Sequence, residues 1–76
     1  MMEKRLSEMK YAEEGTVTHI EEALRKKVAA MGIRVDKNLR MLTKQPIKGP
    51  VVVVVDGANT SLGLDMAERI TVEVKR

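Results

Sequence analysis

QPIKGPVVVVVDGANTSLGLDMAERITVEV, running from Gln45 to Val74, is the stretch on which the fold turns. Five consecutive valines, Val51 to Val55, are too few for a lone helix. Their β-branched side chains suit a pleated surface. Gly49-Pro50 launches the run and Asp56-Gly57 closes it with the start of a hairpin turn. The spacing predicts that Ala58-Asn59 extends this turn and that Thr60 to Leu62 return as a strand. Asp65 stands where a helix N-cap would, with Glu68 three residues on, a capping-box-like pair framing one helical turn. Ile70, Val72 and Val74 then alternate with Thr71, Glu73 and Lys75, the pattern of a strand with one buried face.

Upstream, Pro46 donates no hydrogen bond and biases Gln45 toward extended geometry, which ends a strand expected over Asn38 to Lys44. Glu21 to Met31 reads as a helix, because Leu24, Val28 and Met31 recur at i, i+4 and i+7. Glu21 and Glu22 complement its dipole, and each precedes a cation, Arg25 or Lys26, by four residues. Gly32 is placed to end the helix, with Ile33 folding back on Val28 in a Schellman motif. Glu14 to Ile20 is a β-branched strand, and Met1 to Glu13 a loose arm that packs Leu6 on the body. The expected architecture is mainly β: five short strands, a helix after the first and a helical turn before the last. Strands this short cannot hide their edges in a flat sheet, so a small, partly open barrel is expected, as a single domain over residues 1–76.

A 76-residue chain buries only about 60% of its unfolded surface, so the core is thin. It is also aliphatic, since Tyr11 is the only aromatic residue. The absence of cysteine rules out disulfides and thiolate metal sites and fits a reducing cytosol. No leader-like opening is evident, and the longest aliphatic run is far below the roughly 20 residues that span a bilayer. Charge is unevenly placed. Residues 1–24 carry three Lys or Arg against six Glu, residues 25–48 eight against one Asp, and residues 49–76 three against four. The basic middle is suited to steering an acidic partner, a phosphate backbone or an anionic lipid surface, and the plainer alternative is a set of solvated edge and loop positions.

No reaction chemistry is written in the residues. His19 is the only histidine, and as a metal candidate it has only Glu21 and Glu22 nearby in sequence. Met31, Met41 and Met66 occupy apolar positions and read as core filling. Asp56, Gly57 and Asn59 lack the other ligands of a calcium loop, and no phosphate-binding glycine pattern occurs. Nucleic acid is not an expected partner, because Tyr11 alone makes no stacking platform. An interaction module that works without a cofactor is the reading that remains. Arg25, Lys26, Arg34, Lys37, Lys44 and Lys48 are its candidate partner-steering residues, and transition-metal binding through His19 is the alternative.

The segments RKKVAAMGIRVDKNLRML, QPIKGPVVVVVDG and LGLDMAERITVEV resemble the FeoA family of small cytosolic proteins associated with ferrous iron uptake. The family pattern falls on Met31-Gly32, Pro46 and Pro50, Val51 to Val55, and Leu62-Gly63 with Ala67, Ile70 and Val72. Leu6 to Met9 looks like its opening. Iron- and manganese-dependent repressors carry a similar domain at their C-termini. The resemblance implies an SH3-like β-barrel and a cytoplasmic, non-catalytic partner of the FeoB transporter, a membrane protein with a GTP-binding domain. Recruitment to the inner face of the cell membrane and self-association are further expectations. Two departures stand out: Val35-Asp36 replaces a common Pro-Gly, and Val28-Ala29-Ala30 is a slimmer helix face.

Overall fold

The valine run forms the centre of a hairpin in the computed structural model, which describes residues 2–44 and 49–74. Strand β4, Val51–Val55, pairs antiparallel with β5, Ala58–Leu62, in a register that sets Val55 opposite Ala58. Only Asp56 and Gly57 are left to make the turn, with φ of 52° and 79°. Two positive φ values in a two-residue loop match the right-handed twist of the flanking strands. Ala58 and Asn59 therefore belong to the strand rather than to an extended turn.

The remaining strands are β1 (Met2–Arg5), β2 (Glu14–Ile20), β3 (Asn38–Lys44) and β6 (Ile70–Val74). All six join one antiparallel sheet in the order β1-β6-β2-β3-β4-β5. The sheet curls into a small SH3-like fold that does not close, leaving β1 and β5 at its edges. The expected strand count of five falls one short, because β1 forms where a loose arm was expected. The sequence Met-Glu-Lys-Arg has no alternating pattern, and none of its four residues is buried. What holds it is backbone pairing along β6, from Met2 opposite Val74 to Arg5 opposite Thr71.

The inner face is aliphatic throughout. Val51, Val53 and Val55 of β4 and Ile70, Val72 and Val74 of β6 are buried at every second position, with Leu39 and Met41 of β3 beside them. Leu6 and Met9 from the segment after β1 also enter this core, as expected for Leu6. Simple alternation along β2 would bury Gly15, Val17 and His19. An irregularity at Thr18 shifts the register, so that His19 lies opposite Thr71 and faces out while Ile20 is buried. A bulge of this kind adds one residue to one strand and reverses the facing beyond it.

The helix after β2 is shorter than the periodicity suggests. A 3₁₀ turn, Glu22–Leu24, leads into α1, Arg25–Ala29. Its ending is the expected Schellman motif: Gly32 has φ of 87°, its N–H donates to Ala29 O (3.0 Å), and Ile33 N–H donates to Val28 O (3.0 Å). The expected i,i+4 pairs at its start do not form. Glu21 turns instead to Arg69 (3.6 Å), which also approaches Asp65 (3.7 Å), tying the start of α1 to the segment before β6. The late helical turn is α2, Leu64–Ala67, and its N-cap is Gly63, not Asp65. Asp65 lies within the first turn, where its charge complements the exposed N–H groups.

Candidate interaction groove

Between Ile20 and Asn38 the chain leaves the sheet and returns, and this excursion builds a groove on the surface. The β2 strand ends at the buried Ile20, α1 follows, and the Schellman turn throws Ile33 back into the core. The return to β3 is a tight turn in which Lys37 N–H donates to Arg34 O (3.0 Å). Asp36 takes its third position with φ of 77°, a conformation that Asp tolerates better than most residues. Asp36 N–H also donates to Val17 O (2.7 Å) and Lys37 O accepts from Val17 N–H (2.9 Å), which locks the turn onto β2. Val35, at the second position, is left 43% exposed.

The result is a groove of about 300 Å³ lined by Ile20, Arg25, Ala29, Ile33, Arg34 and Val35. Its accessible apolar lining comes from the exposed Val35 and the half-buried Ala29, with the buried Ile20 and Ile33 beneath them. Arg25 Nε donates to Ile20 O (3.2 Å), so the guanidinium is fixed at its base while its terminal nitrogens bond no described residue. Arg34 is exposed and makes no ion pair with any described residue. Two guanidinium groups thus border one aliphatic hollow.

The sequence-predicted steering residues are only partly gathered here. Arg25 and Arg34 line the groove, and Lys26 is exposed on α1 but is not part of its lining. Lys37 is committed elsewhere, its Nζ 2.7 Å from Asp56 Oδ2. Lys44 ends β3 with its side chain outside the described residues, as is the whole of Lys48. His19 sits exposed on the outer face of β2, and among the described residues no group of three or more His, Cys, Asp or Glu could hold a metal. The apolar part of the groove is what sequence reasoning missed; Val35, an aliphatic residue between Arg34 and Asp36, was the one signal for it.

A second hollow of about 290 Å³ lies over Glu14, Asn38, Leu39, Arg40 and Val54. Glu14 and Arg40 face each other across β2 and β3, so their charges compensate within the sheet. That hollow has no comparable net charge to offer a partner.

The sequence model of the FeoA domain matches residues 4–74. The chain belongs to the FeoA family. No match is found among curated proteins. Among solved structures, the iron uptake regulatory protein FeoA is 29% identical with a TM-score of 0.90, covering 99% of this chain and 100% of that one. The FeoA-like protein from Clostridium acetobutylicum is 27% identical, with a TM-score of 0.85 and coverage of 100% and 91%. A manganese-dependent transcriptional repressor in complex with manganese is also similar, at 29% identity and a TM-score of 0.89. This chain corresponds to 38% of that repressor. The SH3-like fold and the setting of ferrous iron transport follow from family membership, and the same fold serves as one part of metal-dependent repressors. In this FeoA-family chain, no helix among the described residues is long and apolar enough to cross a membrane.

Proposed function

We propose that this chain is a non-catalytic accessory protein of ferrous iron uptake that acts in the cytoplasm by binding the cytosolic part of a FeoB-type transporter. Binding recruits it to the inner face of the membrane and modulates transport. The observation that supports this reading is the groove: a partly apolar hollow bordered by two arginines that form no ion pair with any described residue, on a chain of the FeoA family. Such a surface suits protein association, in which apolar burial supplies affinity and the charged rim speeds encounter. The test is titration of the soluble GTP-binding domain of the transporter with the intact chain at low and high salt. Saturable binding that weakens with salt supports the role, and absence of binding at low salt ends it.

A second reading, a transition-metal-binding regulatory domain, draws on the likeness to the manganese-dependent repressor. It requires ligands beyond the single exposed imidazole of His19. Calorimetric titration with ferrous iron or manganese, alongside the His19→Ala variant, decides it: a stoichiometric site lost in the variant favours this reading.

A further inference from the structure

We propose that the groove receives a single aliphatic side chain from an acidic, extended segment of a partner protein, with a flanking carboxylate held by Arg25 and Arg34. This rests on the reading of the groove as a partner surface and specifies the chemistry of what enters it.

Size narrows the occupant. At about 300 Å³ the hollow lies at the lower end of the ~300–1,000 Å³ typical of small-molecule sites. Among its six lining residues, the only charged groups are two cations, and no acidic or hydroxyl side chain is present to orient a polar cofactor. An aliphatic side chain needs no such orientation. The exposed Val35, the half-buried Ala29 and the alkyl stems of Arg25 and Arg34 offer it dispersion contacts and removal from water, above the buried Ile20 and Ile33.

Charge narrows it further. The bond from Arg25 Nε to Ile20 O spends one of five donors and fixes the plane of the guanidinium. The four terminal N–H groups stay available, in the geometry that accepts a carboxylate by two parallel hydrogen bonds. Over residues 22–36, Arg25, Lys26, Lys27 and Arg34 outnumber Glu22 and Asp36, and the nearby Glu21 is paired with Arg69. A carboxylate approaching this face therefore meets net positive charge. A phosphate backbone would be drawn by the same charge but would leave the aliphatic lining unused, and no described aromatic lies in the groove for a base to stack on. A lipid surface demands a protruding apolar edge, whereas this one is concave.

The partner's chain direction and the identity of its aliphatic residue are free variables, but the pairing of an apolar anchor with adjacent carboxylate is not. The experiment is an amide-resolved NMR titration of the intact chain with a ten-residue peptide that carries one leucine between two glutamates in a glycine-serine background. Shifts are expected at Ile20, Ala29, Ile33 and Val35. Replacing the peptide leucine by alanine, or its glutamates by glutamines, is expected to weaken binding by about tenfold each. Arg34→Ala and Arg25→Lys, the second keeping charge but not the planar fork, are expected to weaken it similarly, and Lys37→Ala to leave it unchanged. Equal binding of the peptide that has alanine in place of leucine, equal binding to the arginine variants, or shifts elsewhere overturns the proposal. So does tighter engagement of the same residues by phosphatidylserine vesicles or an oligonucleotide. If the transporter domain binds while the groove resonances stay still, this inference falls and the transporter reading stands. If the acidic peptide binds and the transporter domain does not, the reverse holds.

Discussion

The ammonium of Lys4 on β1 lies 3.2 Å from Oε1 of Glu13, the residue that precedes β2, and both residues are partly buried. The same carboxylate oxygen accepts from Lys10 N–H at 2.9 Å, so one acid pins both the edge strand and the turn that follows it. Ala12 takes φ of 65° within this turn, and its N–H donates to Met41 O (2.8 Å). The arm that looked loose in sequence is thus held by one ion pair and a strand register.

The N–H of Lys10 pulls the Glu13 carboxyl below its ordinary pKa; partial burial opposes this, and the charge of Lys4 reinforces it. A lowered folded-state pKa means that the unfolded chain binds a proton first as pH falls. The stabilisation is complete above the ordinary carboxylate pKa and disappears as pH drops through the lower folded value. Thermal melts between pH 3 and pH 7 are expected to show a steeper acid loss for the native chain than for Glu13→Gln. Identical slopes would remove Glu13 from this role.

Gly32→Ala is expected to cost about 1–2 kcal/mol, the penalty for an L-residue in the left-handed region. A Cβ there would meet only Val55 Cγ1 at 3.8 Å, an ordinary contact, so the cost is conformational rather than steric. Gly63 offers a contrast. Its φ of −61° suits any residue, it caps α2 without a side-chain bond, and a Cβ would enter open space. Gly63→Ser is expected to stabilise by roughly a few tenths of a kcal/mol by supplying the missing cap acceptor. Urea unfolding of both variants checks the opposite signs.

Ile70 is fully buried where β6 meets β2, opposite Ile20. Ile70→Val is expected to destabilise by about 0.5–1.5 kcal/mol, a single methylene lost from a close-packed site. The urea midpoint should fall with an unchanged slope, since the folded state stays as compact as before.

Lys37 and Asp56 form an exposed pair at 2.7 Å that links the turn before β3 to the β4–β5 hairpin. Lys37→Ala is expected to change stability by less than about 1 kcal/mol. In stopped-flow association with the transporter domain, Arg25→Ala and Arg34→Ala are expected to slow binding and flatten its salt dependence, whereas Lys37→Ala does neither. A slow Lys37→Ala variant would return that residue to the steering set.

Local patterns were legible wherever side chains announced their own environment. The alternation of Ile70, Val72 and Val74, the valine run and the ending at Gly32 each depend on residues within a few positions of one another. Such preferences act before any tertiary contact exists. Two local signals were outcompeted. Glu21 sat well placed for Arg25 in an isolated helix, yet the fold brought Arg69 to it, and Arg25 turned to the Ile20 carbonyl. Asp56-Gly57 needed no extension because the strand twist favours a two-residue loop.

The sequence by itself determined an aliphatic, antiparallel β fold with a capped helical excursion, because periodicity and turn chemistry are short-range properties of neighbouring residues. Tertiary structure alone decided that Met2–Arg5 becomes a sixth strand, that a bulge at Thr18 turns His19 outward, and that Arg25 and Arg34 border one hollow. Each of these depends on backbone hydrogen bonds and packing between segments far apart in the chain. Pairing of that kind leaves no trace in side-chain spacing, and only the folded register brings it about.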